Sequence, residues 1–326
     1  MAKESLRVGV IGVGRMGQFH SNIYSELGEV DLIGVSDVDE VRGKEVGERF
    51  GIEYFANYRD LLEKVDAVSI AVPTKLHYEV AKTTLEAGCH ALVEKPISNN
   101  YEHAKELFSI AGDKGLVLHV GHIERFNGAV QELQKLIEDP ILIQSRRLGP
   151  FEKRVAEDGV VLDLMIHDID IILNLVNSEV RDLNVIGSSV FSDRDDVVAV
   201  QIFFESGCMA TITASRATQF KVRNMAITCK SKYMKLDFAD QEIMVHRLAT
   251  SEHEIRNKEL KYTEEDRRER IFVHRENPLK LEIQHLVDCI LNKADRRVSV
   301  DNELKSLRVA LQILEKFNQQ AKVVTG

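Results

Sequence analysis

The stretch Arg7-Val8-Gly9-Val10-Ile11-Gly12-Val13-Gly14-Arg15-Met16-Gly17 decides how this chain is read. Val8-Gly9-Val10-Ile11 is too short for a helix and too apolar for a surface strand, so it reads as a buried central strand of a parallel sheet. Gly12, Gly14 and Gly17 follow at G-x-G-x-x-G spacing, and a helical pattern begins at Met16. In such a turn the first glycine permits the tight bend, the second lets backbone approach a pyrophosphate, and the third lets the helix lie close to the strand. The phosphates then sit at the helix N-terminus, where unpaired N–H groups and the helix dipole favour negative charge. Alone the motif is weak, because a glycine-rich turn has the same letters. Its context is stronger: a second apolar run, Val30 to Ser36, ends at Asp37, twenty residues past Gly17, where the ribose-binding acid of a dinucleotide fold belongs. A carboxylate there accepts from the ribose hydroxyls of NAD and repels the extra phosphate of NADP. Arg15 and Arg42 are the cations that would favour NADP instead. NAD is the expected cofactor.

Outward from this stretch, strand and helix alternate. Strands are expected over 52–55, 66–72, 90–93 and 117–120, and helices over 41–50, 58–64, 77–87 and 100–114. The alternation predicts a doubly wound parallel sheet, in which ligands lie beyond the carboxyl ends of the strands. Pro73, Thr74, Glu94, Lys95, Gly121 and His122 occupy those ends. After Asn127 the character changes. A helix over 129–137 stops before Asp139-Pro140, and strand-like segments follow at 141–148, 180–190, 197–204, 209–214, 223–229, 233–237 and 242–246. Several alternate polar and apolar residues, as a half-exposed antiparallel sheet does. A helix over 161–176 interrupts them, and helices over 278–293 and 301–317 close the chain, the last with Asp301 as N-cap. Residues 263–276 read as a solvated loop and edge strand. The expected fold is α/β: a doubly wound parallel Rossmann sheet in residues 1–125, then an α+β domain with an open, mostly antiparallel sheet in 126–326. The C-terminal helix is a candidate to pack back on the first domain.

With 326 residues and 44% hydrophobic content, the chain can build two ordinary cores. A net charge of −9 and a pI near 5.7 argue against non-specific nucleic-acid binding. No apolar run is long enough to span a bilayer, and Met1 to Val10 runs into the first strand without signal-peptide architecture. Cys89, Cys208, Cys229 and Cys289 are scattered, with no C-x-x-C pair. They read as free thiols in a reducing compartment, not as a zinc site or disulfide framework. A cytoplasmic protein without metal, membrane or nucleic-acid partner is expected.

Two places can carry chemistry. Glu94-Lys95-Pro96 terminates a buried strand at the ligand edge, which faces the nicotinamide. Lys95 there can donate to a substrate oxygen, or the pair is simply an exposed strand end. Asp163 and His167 lie four residues apart on an otherwise apolar helix, so they share a face. They are either a hydrogen-bonded structural pair or a catalytic one, in which the histidine takes a hydroxyl proton. Asp168 and Asp170 point to other faces and are expected as packing or capping partners.

The set GVIGVGRMG, AVPTKLH (Ala71 to His77), VEKP (Val93 to Pro96) and D-x-x-x-H (Asp163, His167) resembles the glucose–fructose oxidoreductase/inositol dehydrogenase (Gfo/Idh/MocA) family over essentially the whole chain. The resemblance implies Lys95, Asp163 and His167 as the catalytic group. It implies dinucleotide contacts from Gly12, Gly14, Arg15, Met16, Asp37, Pro73, Thr74, His77, Glu94 and Lys95. It also implies a homo-oligomer, dimer or tetramer, built through the open sheet. Many members have two or three glycines before the helix, whereas Glu157-Asp158-Gly159-Val160 keeps only Gly159, a departure in the substrate-side loop.

VGHIERFN (Val120 to Asn127) and RRLGPFEKR (Arg146 to Arg154) are similar to the branch of UDP-N-acetylglucosamine 3-dehydrogenases. That similarity implies oxidation of a nucleotide sugar at its 3-hydroxyl, with Arg125, Asn127 and Arg147 joining Lys95, Asp163 and His167 at the substrate. Arg146, Arg147, Lys153 and Arg154 place four cations in nine residues of an acidic chain, suited to a pyrophosphate or equally to a solvated strand edge. The rivals are a dehydrogenase of a free sugar, an inositol or another nucleotide sugar, and a non-catalytic NAD(H) sensor. A sensor has no need of Lys95, Asp163 and His167 together.

Overall fold

The computed structural model describes residues 5–152, 158–247, 251–256, 259–264 and 267–324. Its chain divides into two compact units, Met1–Phe126 with Asn277–Leu311, and Asn127–Glu276 with Gln312–Gly326.

In the first unit the strands are β1 (Leu6–Ile11), β2 (Val30–Ser36), β3 (Glu53–Phe55), β4 (Ala67–Ile70), β5 (His90–Glu94) and β6 (Leu118–Gly121). The helices between them are α1 (Arg15–Glu26), α2 (Glu40–Phe50), α3 (Tyr58–Leu62), α4 (His77–Glu86) and α5 (Tyr101–Asp113). All six strands are parallel, in the order β3-β2-β1-β4-β5-β6. The strand order reverses between β1 and β4, and the crevice beyond their carboxyl ends is where a doubly wound sheet receives its ligand. Val8 and Val10 of β1 are fully buried, as a strand covered on both faces requires. One apolar layer joins Ile70, Val93, Leu85 and Leu107; another joins Val8, Val10, Tyr24 and Val35.

Both layers also draw on the last part of the chain. Helix α8 (Pro278–Ile290) carries Leu279, Ile283, Leu286 and Val287 at one-face spacing, and all four enter the layer built on β1. Leu304 and Leu307, from the first half of a helix that runs Val300–Val324, enter the other layer. The sequence reading placed everything after residue 125 in the second domain except for a possible return of the C-terminal helix. The structure groups the whole segment Asn277–Leu311 with the first unit, because periodicity reveals an apolar stripe but not the surface it covers. Charge reinforces the join: Arg125 gives two 2.8 Å hydrogen bonds to Glu303, and Arg296 adds a third at 3.0 Å.

The second unit begins with α6 (Gly128–Leu136) and β7 (Leu142–Leu148). A helix, α7 (Ile166–Leu175), precedes β8 (Val180–Ser188), β9 (Val197–Phe204), β10 (Met209–Ser215), β11 (Val222–Thr228), β12 (Lys232–Asp237) and β13 (Glu242–Arg247). Then come β14 (Ser251–Arg256), β15 (Glu259–Glu264) and β16 (Arg267–Ile271). Eight of these strands form one sheet, β16-β13-β12-β11-β7-β10-β9-β8, antiparallel except where β7 meets β10. Alternation holds: Val198, Val200, Ile202 and Phe204 of β9 are buried on one face. Strand β16 is the expected sheet edge, whereas the β14–β15 hairpin falls where no strands were expected. Its polar sequence, SEHEIR and ELKYTE, gives periodicity little apolar signal to work with. Among the described residues no helix is long and apolar enough to cross a membrane. We write the C-terminal helix Val300–Val324 as α9.

Burial raises the pKa of Glu303, but the charge and hydrogen bonds of Arg125, with His122 and Arg296 behind, outweigh it and hold the carboxyl below its ordinary range. A depressed folded-state value makes this pair stabilising above the unfolded carboxylate pKa of about 4.3, and that stability fades as pH falls through the folded value. Glu303→Gln strands buried guanidiniums without a counter-charge. Urea denaturation at pH 7 is expected to show a loss of about 3–5 kcal/mol, with a smaller difference from wild type as the pH is lowered below 4.

Candidate active site

In the first unit the site grows from the glycine turn. Gly12 has φ +87°, a left-handed backbone, and a Cβ there would lie 2.7 Å from the carbonyl oxygen of Ala71. A Cβ on Gly17 would fall 1.8 Å from the carbonyl oxygen of Gly12, so α1 reaches the end of β1 only without a side chain at that position. Open space surrounds the place where Gly14 would carry a Cβ. Gly14 is the N-cap of α1; no side chain caps the helix and no acid lies in its first turn. Arg15 and Met16, also expected at the cofactor, occupy that first turn, with the Arg15 guanidinium over Phe19. An uncapped helix start of this shape suits a pyrophosphate.

Asp37 follows β2 as expected and does more than the sequence indicated. Its carboxylate accepts from the N–H of Val13, inside the glycine turn, at 2.7 Å, from the N–H of Asp39 at 2.8 Å and from Arg42 Nη2 at 2.9 Å. Burial works against its charge, yet the Arg42 bond and the two N–H bonds hold its pKa below the ordinary carboxylate value. Asp37 is therefore ionised, braces the turn and engages Arg42. An ionised carboxylate beside the glycine turn fits NAD.

At the ends of β4 and β5 lie Pro73, Thr74, His77, Glu94 and Lys95. His77 is buried and spans the two turns, Nδ1 at 2.7 Å from the Pro96 carbonyl and Nε2 at 2.8 Å from the Val72 carbonyl. Glu94 accepts from His20 Nε2 at 3.0 Å; His20 Nδ1 meets Ser69 Oγ at 2.9 Å, and Tyr24 Oη meets the same oxygen at 2.9 Å. Burial raises the Glu94 carboxyl, but the His20 bond and the charges of His20 and Lys95 leave it below its ordinary value. His20, Ser69 and Tyr24 were not singled out in the sequence. Their signal was there: His20 and Tyr24 fall three and seven residues after Gly17, on the helix face that must meet the sheet.

In the second unit the helix expected over 161–176 opens as a π-helical turn, Val161–Met165, which holds Asp163. His167 is in the first turn of α7. Both side chains are half-buried. The turn starts on Asp195, whose Oδ2 accepts from the N–H of Val161 at 2.7 Å. A Cβ on Gly159 would lie 1.7 Å from Asp195 Oδ1, so the one glycine this chain retains is the one that cannot be replaced. Asp168, expected as a packing partner, is fully buried and bound by Arg147 Nε and Ser145 Oγ, each at 2.8 Å. Buried Asp170 takes Asn174 Nδ2 on its carbonyl at 2.8 Å.

Three residues expected at the substrate are engaged inside their own units. Arg125 is held by Glu303. Asn127, 2% exposed, caps α6 and donates to the Phe238 carbonyl at 3.0 Å. Arg147, 2% exposed, pairs with Asp168 and lies over the Phe238 ring. Its neighbour Arg146 is exposed on the opposite face of β7, and Lys153 and Arg154 lie outside the described residues. Arg146 and Arg147 thus divide across the strand, since alternate residues face opposite ways.

Residues 6–122 match the model of an oxidoreductase family with an NAD-binding Rossmann fold, and residues 132–234 match the GFO/IDH/MocA C-terminal domain. The chain belongs to the GFO/IDH/MocA family. Like that family, it is an NAD-binding oxidoreductase. It is 35% identical over 242 residues to the UDP-N-acetylglucosamine 3-dehydrogenase of Acidithiobacillus ferrooxidans, covering 74% of this chain and 77% of the relative. A solved structure of that enzyme superimposes with a TM-score of 0.87, covering 96% and 98% of the two chains at 30% identity. The myo-inositol 2-dehydrogenase of Thermotoga maritima is 28% identical over 229 residues, 65% of this chain and 69% of the relative. A scyllo-inositol dehydrogenase from Lactobacillus casei, solved with NAD(H) and scyllo-inositol, shares the GFO/IDH/MocA fold at a TM-score of 0.79 and 20% identity, covering 97% and 98%.

Gly159→Ala forces Asp195 or the π-turn to move while leaving the glycine turn of the first unit untouched. Steady-state kinetics should show turnover reduced on the order of 10²-fold, the scale of a 1 Å misplacement of a catalytic group. NADH binding, followed by fluorescence titration, should stay within about twofold of wild type.

Proposed function

We propose that the protein is an NAD-dependent dehydrogenase that oxidises a secondary hydroxyl of a sugar, and that the sugar is UDP-N-acetylglucosamine, oxidised at its 3-position. The observation that carries the reading is the presence of Lys95 after β5 together with Asp163 on the π-turn and His167 in the first turn of α7, in a chain 35% identical to an enzyme of that name.

In this reading NAD, when bound, supplies the acceptor for the hydrogen on the substrate carbon. Every other part of the step belongs to the chain. His167 takes the hydroxyl proton as the carbonyl forms, a task suited to an imidazole acting as general base. Lys95 donates to the same oxygen and holds it in place. Asp163 orients His167 or Lys95, or binds a neighbouring hydroxyl. The network of Tyr24, Ser69, His20 and Glu94 fixes the strand end from which Lys95 projects. A homodimer or homotetramer through the open sheet of the second unit, in the cytoplasm, completes the reading.

The purified protein is to be incubated with NAD and UDP-N-acetylglucosamine, with an amino-donor transaminase removing the keto product, and NADH followed by absorbance. NADH formed with the nucleotide sugar, and not with free N-acetylglucosamine, is the expected result. NADH formed only with free sugars or inositols would overturn the nucleotide-sugar assignment and favour the inositol dehydrogenases among the relatives. Lys95→Met should lower turnover by 10²–10⁴-fold with NAD binding retained, and undiminished turnover would remove Lys95 from the mechanism.

A further inference from the structure

A small cavity of about 20 Å³ lies within the first unit, between β6 and α8, with room for one water or one ion. It contains two polar groups that nothing satisfies. His119 of β6 is 6% exposed and its Nε2 has no hydrogen-bond partner; Glu282 of α8 is 2% exposed and neither carboxylate oxygen has one. Leaving such groups bare costs several kcal/mol unless something occupies the space between them. Glu282, His285 and Cys289 follow one another on α8 at i, i+3 and i+7, which puts them on one helix face. Cys289 Sγ lies 3.7 Å from His285 Nε2. Ligand atoms of His119, His285 and Cys289 all fall within 4.8 Å of one another.

We propose that His119, His285 and Cys289 form a site for a zinc-class divalent ion, with the fourth position open to the cavity and Glu282 facing it. Two imidazoles and a thiolate select zinc and its borderline-soft neighbours over magnesium or calcium. The 3.7 Å sulfur–nitrogen separation already matches two ligands of a tetrahedron whose bonds are about 2.1 and 2.3 Å. The ligand atom of His119 stands within 4.8 Å of the other two and must draw in to complete the set. Burial, with Arg296 next, pushes the His119 imidazole down to about 3, and burial followed by Arg297 lowers that of His285, so both are neutral and able to ligate. Arg296 and Arg297 line the same cavity and oppose a cation. Arg296 is paired with Glu303, and loss of the Cys289 proton and of the Glu282 proton adds two negative charges against the two of the ion. The ion displaces the 3.3 Å hydrogen bond from the Arg297 N–H to His285 Nε2. Its role is structural: it clips α8 to the edge strand of the Rossmann sheet, away from the glycine turn. The sequence could not show it, since residue 119 and residues 285–289 are far apart in the chain and no C-x-x-C pair marks the thiol.

The test uses the full-length, tag-free protein, stripped with chelator and returned to zinc or cobalt chloride. Expected results are one metal per chain by elemental analysis and a near-ultraviolet thiolate-to-cobalt band. Zinc should raise Tm by roughly 5 °C through linkage. His119→Gln and Cys289→Ser should each lose the band and the Tm rise, while retaining the Tm of the stripped wild type and its NADH binding. Metal well below one per chain, or a cobalt band that survives in Cys289→Ser, would overturn the site and leave a bound water as the cavity's occupant.

Discussion

Helix α1 can rest on the end of β1 only because position 17 has no side chain, its missing Cβ standing 1.8 Å from the Gly12 carbonyl oxygen. Much of the first unit hangs on that approach. It aims the uncapped helix start at the crevice where the strand order reverses. It also brings the residues one and two helical turns further on, His20 and Tyr24, against the sheet, where they reach Ser69 and Glu94. A contact made by a glycine thus sets the position of a carboxylate at the far strand end, next to Lys95. The glycine turn is secured from its other side by Asp37, through the N–H of Val13. A residue expected to meet ribose is also a brace for the phosphate loop.

Buried ion pairs are the second theme. Arg125 with Glu303, Arg147 with Asp168 and Arg216 with Asp196 each place a guanidinium against a carboxylate with little exposure. Such pairs repay their desolvation only when geometry is good and the remaining donors are used. That condition is met by the two bonds of Arg125 and by the reach of Arg216 to Asp158 and Ser192. A pair of this kind contributes little net stability but tolerates few arrangements. The one on α7 fixes the rotation of the helix that carries His167, and the one at Glu303 fixes α9 on the first unit's own core.

What was legible in the sequence follows from range. The glycine turn, Asp37, the strand ends and the four-residue spacing of Asp163 and His167 are written locally, and the structure places the turn, Asp37 and the strand ends where expected, with Asp163 on the π-turn and His167 on α7. Arginines were harder. Arg125 and Arg147 were expected at the substrate, yet a guanidinium suits a substrate phosphate and a protein carboxylate equally well. Only the fold reveals that Glu303 and Asp168 claim them, the first from 178 residues away. The transfer of α8 to the first unit was missed for the same reason. The π-turn was missed because its residues, VLDLM, have an ordinary helical pattern, and the widening depends on Asp195 gripping its first N–H.

In the loop before that turn the chain keeps only Gly159 where the family resemblance implied further glycines, and geometry explains why a single glycine suffices there. Position 159 is where a Cβ would strike Asp195. Position 158 contributes its carbonyl to Arg216, a contact any residue can make through its backbone. A side chain is excluded at position 159, whereas the carbonyl contact at position 158 does not require glycine, so a further glycine there would add conformational entropy to be lost on folding. Aspartate at 158 therefore leaves the start of the π-turn intact. Asp163 enters it from a backbone held at Val160 and Val161 by Asp195, while His167, one turn on, is held through Asp168 by Arg147. Two independent anchors thus set the backbone at Asp163 and at His167.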